Sequence, residues 1–293
     1  MRAGGISRRR ALGALGALPV VLASARASAQ DPAAAPPDGG PYVPTPWAIL
    51  DEMLKLADIR ADDTVFDLGS GDGRLVIAAA ARHGARGVGV ERHADLVELS
   101  RAYAEKNGVV ERVRFVQGDV LETDVREATV VMMYLLPRLV VRLVPKLRAE
   151  LPVGARIVSH DYALEPWRAD KTMLFDVDEK YAITGSPETK LFYYVVPARV
   201  HGEWTLELAE PIVTGPVPLA IEQWPDRLMG AAIFRSGSTE LRELAVRGDA
   251  IRFEILHDAR IMAFTGRVTG ATMAGDMRSR GVSSRWTARR SPS

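Results

Sequence analysis

The chain has 293 residues, enough for two modest domains, and its 47% hydrophobic and 26% charged residues are ordinary for a folded globular protein. Lys plus Arg (38) and Asp plus Glu (37) nearly cancel to a formal charge of +1, so no nucleic-acid partner is expected, and the basic tail at Arg285, Arg289 and Arg290 reads as a solvated terminus. The absence of Cys excludes disulfides, thiolate metal sites and a cysteine nucleophile, and five His without a ligand-type cluster argue against a metal enzyme.

Residues 1–29 read as an address. Arg2 and Arg8-Arg9-Arg10 precede a short apolar run from Ala11 to Ala23, and Ala27-Ser28-Ala29 has the small-residue pattern of a cleavage site. The run is too short to span a bilayer comfortably. Ser7 followed by three arginines points to export of the twin-arginine type and a periplasmic mature protein without a transmembrane helix. A basic disordered extension, an organellar transit peptide or a cytoplasmic chain is the alternative. Residues 30–41, rich in Pro, Ala and Gly, read as a linker.

Thr45 and Pro46 suggest an N-cap and first turn for a helix carrying Ile49, Leu50, Met53, Leu54 and Ala57 at helical spacing. Strands and helices then alternate. Strands are expected at Thr64–Leu68, Gly87–Glu91, Val113–Gln117, Ala128–Tyr134, Arg156–His160 and Leu191–Val196. Helices are expected at Arg74–Arg82, Asp95–Asn107 and Arg138–Leu151. This alternation implies an α/β fold with a mostly parallel sheet covered on both faces, in a domain over residues 42–200. From residue 201 to 293 the pattern changes to short alternating segments punctuated by Gly or Pro, which reads as a small antiparallel β domain without a long helix. Gly266, Gly270 and Gly275 read there as turn residues.

Asp67-Leu68-Gly69-Ser70-Gly71-Asp72-Gly73 closes the first strand and opens a helix. Glycines let backbone approach a ligand, and the helix N-terminus offers unpaired N–H groups to a carboxylate. Alone, this turn is shared with dinucleotide-binding folds. Three carboxylates sharpen it. Asp67 precedes the glycines, where it repels a pyrophosphate but suits a sulfonium or ammonium. Glu91 ends the second strand, placed for ribose hydroxyls. Asp119, just past the third strand, can accept from an adenine amine. Taken singly these are also a helix cap, a solvated strand end and a turn former. Together, each closes a consecutive strand at the carboxyl edge of the sheet.

At these residues the sequence resembles the class I S-adenosylmethionine-dependent methyltransferases, with their Rossmann-like seven-strand sheet. The resemblance spans Tyr42 to about Val196 and implies S-adenosyl-L-methionine as cofactor. Asp67, Gly69, Ser70, Gly71 and Gly73 would then surround its methionine part, with Glu91 on the ribose and Asp119 on the adenine. Tyr42-Val43-Pro44-Thr45-Pro46, the run Asp67 to Arg74, and Ala128 to Pro137 are similar to the group of small protein-lysine methyltransferases that includes the one acting on the c-ring protein of ATP synthase. That likeness implies a protein lysine as acceptor and a closing role for the segment before the first helix.

On the acceptor side, Tyr134 ends the fourth strand, and His160-Asp161 closes the fifth. Because neighbours on a strand point to opposite faces, only one of the pair is expected in the pocket, and Asp161 is chosen beside Tyr134 as a catalytic candidate. Tyr134 is equally readable as a core aromatic. Two other functions use the same fold. A nicotinamide oxidoreductase would need Gly-x-Gly-x-x-Gly, whereas here the glycines fall at 69, 71 and 73. A non-catalytic S-adenosylmethionine- or nucleotide-binding protein, or a methyltransferase acting on a small molecule or lipid, remains compatible.

Overall fold

The computed structural model describes residues 42–208 and 215–291; the export-signal and linker readings lie outside the described residues. Helix α1 (Trp47–Ala57) buries Ile49, Leu50, Met53, Leu54 and Ala57, the stripe its periodicity marks. Its N-cap is Pro46, with no side-chain cap, so the expected capping by Thr45 is not made. Thr45 is instead buried beside the glycine-rich turn, and its carbonyl accepts from Arg74 Nη1 at 2.8 Å.

Strands β1 (Thr64–Leu68), β2 (Arg86–Glu91), β3 (Val113–Gln117), β4 (Val130–Met133) and β5 (Arg156–His160) run parallel, linked by α2 (Arg74–His83), α3 (Ala94–Lys106) and α4 (Pro137–Glu150). Strand β4 is shorter than the expected Ala128–Tyr134 at both ends, since its pairing begins at Val130 and Tyr134 has already left the ladder. Two elements escape the sequence reading, β6 (Lys171–Asp176) and the short α5 (Asp178–Thr184). They precede β7 (Glu188–Val195), which is antiparallel to both β5 and β6. The seven-strand order is β3-β2-β1-β4-β5-β7-β6. β1 shows how alternation builds two layers: Val65 enters the core under α1, α2 and α3, while Phe66 and Leu68 enter the core under α4.

The second sheet is a nine-strand antiparallel meander made of β8 (Gly202–Leu208), β9 (Val217–Gln223), β10 (Leu228–Phe234), β11 (Gly237–Glu240), β12 (Arg242–Arg247), β13 (Ala250–His257), β14 (Arg260–Thr269), β15 (Thr272–Ser279) and β16 (Val282–Arg290). Its edges meet: Leu241 N donates to Gly230 O at 2.8 Å, and Thr239 Oγ1 donates to Leu256 O at 3.2 Å. The interior is filled by its own core, with Phe253 stacked on Phe264 at 4.6 Å and both edge-on to Trp286. Arg290 lies 4.3 Å over Trp204 and donates to the carbonyls of Arg199 and His201, fastening the last strand to the first.

Only Gly270 of the three expected turn glycines is in a turn. Gly266 and Gly275 face each other across β14 and β15, where a Cβ on either would run into backbone. The two sheets join where Ala198 N donates to Gly248 O at 2.8 Å and Arg247 lies 5.8 Å from the Tyr193 ring centre.

Candidate active site at the carboxyl edge

The ends of β1 to β4 frame a cleft of about 1050 Å³, counting its open mouth. The turn after β1 is folded back over β2, since Gly69 N and Ser70 N both donate to Val90 O at 2.9 and 3.0 Å. Gly71 has φ of +53°, and the Tyr42 ring occupies the space a Cβ there would need. Glu91 holds the turn from below: its Oε2 accepts from Gly71 N and its Oε1 from His93 N, each at 3.0 Å. Each oxygen keeps a second lone pair for a hydroxyl in the cleft.

Asp67 lines the cleft at 2% exposure and has no cationic partner among the described residues. Burial, then the charges of Glu91 and Asp72, pushes its carboxyl up to about 8. A buried acid that prefers its proton is placed to exchange that proton for a ligand cation. Ser70 also lines the cleft, with a buried Oγ that has no hydrogen-bond partner among the described residues and lies against Gly89. Asp119 sits exposed at the opposite wall, and its Oδ1 accepts from Leu121 N at 2.9 Å. Gly69 and Gly71 line the cleft as expected. Gly73 does not. It caps α2 and packs against Phe115 and Ser100.

The segment before α1 forms one wall of the cleft. Arg74 makes a two-pronged ion pair with Asp72, Nε–Oδ1 at 2.9 Å and Nη2–Oδ2 at 2.6 Å, and lies 5.1 Å from the Trp47 ring centre. Together with its bond to Thr45 O, this pins residues 42–47 onto the glycine turn. Burial and the charge of Asp72 push the Tyr42 phenol up to about 12, so it stays a donor. Sequence reasoning missed this lock. The available signal was the Asp72-Gly73-Arg74 spacing, which lets an acid and a guanidinium meet across a helix start.

Tyr134 lines the cleft beside Leu135, Leu139 and Arg142. Its ring stacks on His160 at 3.8 Å, and burial, the charge of Asp161 and a hydrogen bond to Asp161 hold its phenol protonated well above the usual range. The expectation that His160 and Asp161 point apart fails for a definite reason. Asp161 has left the strand with φ of +64°, which turns its carboxylate back to 3.7 Å from His160 Nε2. Asp161 Oδ1 accepts from Lys190 N at 3.1 Å and Oδ2 pairs with the buried Lys180 Nζ at 2.7 Å. His160 is fully buried, neither ring nitrogen has a hydrogen-bond partner among the described residues, and burial lowers it to about 4, so it is a neutral ring under Tyr134 at ordinary pH. Neither Asp161 nor His160 lines the cleft; Tyr134 connects them to it. Lys180 is the member of this network that the sequence did not reveal.

Comparison with known proteins fits this geometry. The family model of the ANTKMT methyltransferase domain matches residues 67–171, which contain every polar residue above except Tyr42, Thr45, Lys180 and Lys190. A protein-lysine N-methyltransferase of Saccharolobus islandicus (strain REY15A) is 44% identical over 128 residues, 43% of this chain and 80% of that protein. The adenine nucleotide translocase lysine N-methyltransferase of Mus musculus is 37% identical over 44% of this chain and 56% of its own length. The chain thus spans four fifths of the first relative but under two thirds of the second. Among solved structures, an RNA methyltransferase from Salinibacter ruber in complex with S-adenosyl-L-homocysteine shares 43% identity over 54% of this chain and 96% of that one, with a TM-score of 0.49. A buried unpaired acid, a glycine turn and a glutamate lining the same cleft suit S-adenosyl-L-methionine, and the chain belongs to the S-adenosylmethionine-dependent methyltransferases that carry the ANTKMT methyltransferase domain.

Proposed function

We propose that this methyltransferase modifies the ε-amine of a lysine in a protein. Both curated relatives named above are protein-lysine methyltransferases, and the observation that carries the reading is Tyr134, which joins the cofactor cleft to the Asp161–Lys180 pair. Asp67 would pair with the cationic methionine part of the cofactor, Gly69 and Gly71 would admit its backbone-hugging chain, Glu91 would take the ribose hydroxyls and Asp119 the adenine amine. Bound there, S-adenosyl-L-methionine supplies an electrophilic methyl on a sulfonium, and the acceptor nitrogen must arrive in line as a free amine.

The rest falls to the protein. A lysine ammonium has a reference pKa of about 10.4, so it must lose a proton before attack. Leu135 and Leu139 give the mouth apolar walls that disfavour the charged form and send that proton to solvent. Tyr134, held protonated by Asp161, cannot be the base. Its hydroxyl donates to Asp161 and offers a lone pair to an amine N–H, which orients the nitrogen lone pair toward the cleft. His160, neutral and dry, fixes the ring plane. Pairing with Lys180 keeps Asp161 in place for that task.

The export reading of residues 1–29 is part of the same proposal and places the acceptor outside the cytoplasm. A transfer assay tests the acceptor class: purified protein, methyl-labelled cofactor and host extract, followed by hydrolysis to amino acids. Label should co-migrate with mono-, di- or trimethyllysine. Label recovered in lipid or small metabolites would refute the lysine assignment.

A further inference from the structure

The second sheet is tied to the methyltransferase half at one end, through the Ala198–Gly248 bond and the Arg247–Tyr193 contact. At the other end three hairpin turns meet, between β10 and β11, between β13 and β14, and between β15 and β16. They are held as one surface. Phe234 stacks on His257 at 3.8 Å, Thr239 Oγ1 donates to Leu256 O at 3.2 Å, Ser279 Oγ to Ile261 O at 2.8 Å, and Arg280 to Ala259 O at 3.0 Å.

On this end Ile233, Leu256, Ile261 and Val282 are exposed by 47%, 41%, 47% and 46%. One such side chain needs no explanation, but four on joined hairpins form an apolar patch the fold does not use, since the interior is filled by its own core. Leu256 and Ile261 are cross-strand partners, so their side chains lie together. Arg235, Arg260, Arg278 and Arg280 are exposed around them. Of the acidic side chains nearby, Glu254 is opposite Arg242 in the strand register, while Asp258, exposed at the hairpin turn 3.4 Å from His257, and Glu240 stand against the four arginines.

We propose that this end docks on an anionic lipid surface. Aliphatic side chains on hairpin ends can enter the headgroup boundary, while arginines bury their stems and keep their charge among phosphates. The chemistry favours lipid over a protein partner, because the patch holds small aliphatic side chains bordered by more arginines than carboxylates and, among the described residues, lacks the exposed aromatic anchors typical of a protein hot spot. Docking there would leave the cofactor cleft, which is lined by no residue of the second sheet, uncovered.

The test is co-sedimentation of the full chain with phosphatidylcholine vesicles, with and without about one-third phosphatidylglycerol. Every variant carries the same N-terminal segment, so binding by that segment cancels in the comparison. Wild type should partition at least tenfold more strongly onto anionic vesicles and lose that preference in high salt. Arg235→Gln with Arg260→Gln should cut anionic binding by about 25-fold, the effect of removing two surface charges worth roughly fivefold each. Leu256→Ser with Ile261→Ser should cut it at least fivefold. Both variants should keep cofactor binding and melting temperature, since all four side chains are exposed. Equal binding to neutral and anionic vesicles, or variants that bind like wild type, would overturn the proposal. So would a wild-type dimer in sedimentation velocity that these variants abolish.

Discussion

Replacing Asp67 by Asn tests the electrostatic core of the site. With no ligand bound the Asp67 carboxyl sits at about 8, so at pH 7 it is mostly protonated. A cofactor carrying a sulfonium and an ammonium holds it ionised, and binding must therefore expel close to one proton. Calorimetry in two buffers of different ionisation enthalpy reads that number directly. Wild type should release close to one proton more at pH 7 than Asp67→Asn, a comparison that cancels any proton taken up by the ligand. Wild-type affinity should climb with pH from about 6 to about 8, by up to tenfold per unit, and the Asn variant should not follow it. At pH 8.5, where Asp67 is ionised before binding, Asn should cost about 1–3 kcal/mol, the value of a charge-assisted contact. The stability of the empty protein follows with the sign of a raised acid. Folding binds a proton between the unfolded value near 4 and the folded value near 8, so stability falls as pH rises through that window. Asn should flatten the fall by a few kcal/mol. Equal proton release by both proteins, with pH-independent affinity in wild type, would refute the placement of the cofactor cation at Asp67.

Tyr134→Phe should lower kcat by about 10- to 100-fold and leave cofactor Kd within about threefold, because the lost hydroxyl orients the acceptor nitrogen; single-turnover kinetics beside cofactor titration separates the two. Gly71→Ala should weaken cofactor binding at least tenfold, as its methyl meets the Tyr42 ring at a φ of +53° that costs a non-glycine residue about 1–2 kcal/mol; a titration and a thermal melt check it. A chain ending after Val200 should fold and keep cofactor Kd within about threefold, because the second sheet has its own core and contributes no residue to the cleft; loss of binding in a folded truncation would contradict this. Protein purified from its native host should begin near Gln30, and N-terminal sequencing that finds residue 1 or 2 on cytosolic protein would refute export.

The parts of the fold that were legible in the sequence are those with a strong period or a chemical signature. β1, β3 and β5 fall where their apolar runs put them, and the three strand-end acids converge on one cleft, as their order in the chain implies. β6 and α5 were invisible because β6 is an edge strand facing water on most of its residues and α5 has only 7 residues, too few to show a helical stripe. The Tyr134–His160–Asp161–Lys180 network was half legible. The alternation rule assumes extended backbone, and it fails at Asp161 because one residue with positive φ returns its side chain to the neighbour it should have left. The Arg74 lock joins residues 29 apart, and Gly266 faces Gly275 across two strands. Pairings of this kind exist only in three dimensions.

The central claim, methyl transfer to a protein lysine, is tested most directly by quantitative methyl-lysine mass spectrometry of the host. Three strains suffice: one lacking this chain, one expressing wild type, and one expressing Tyr134→Phe at equal level. At least one lysine should be methylated with wild type, unmethylated in the deletion, and methylated to a reduced extent with Tyr134→Phe. Identical lysine methylation in all three strains, with label from the cofactor appearing in another class of molecule, would contradict it.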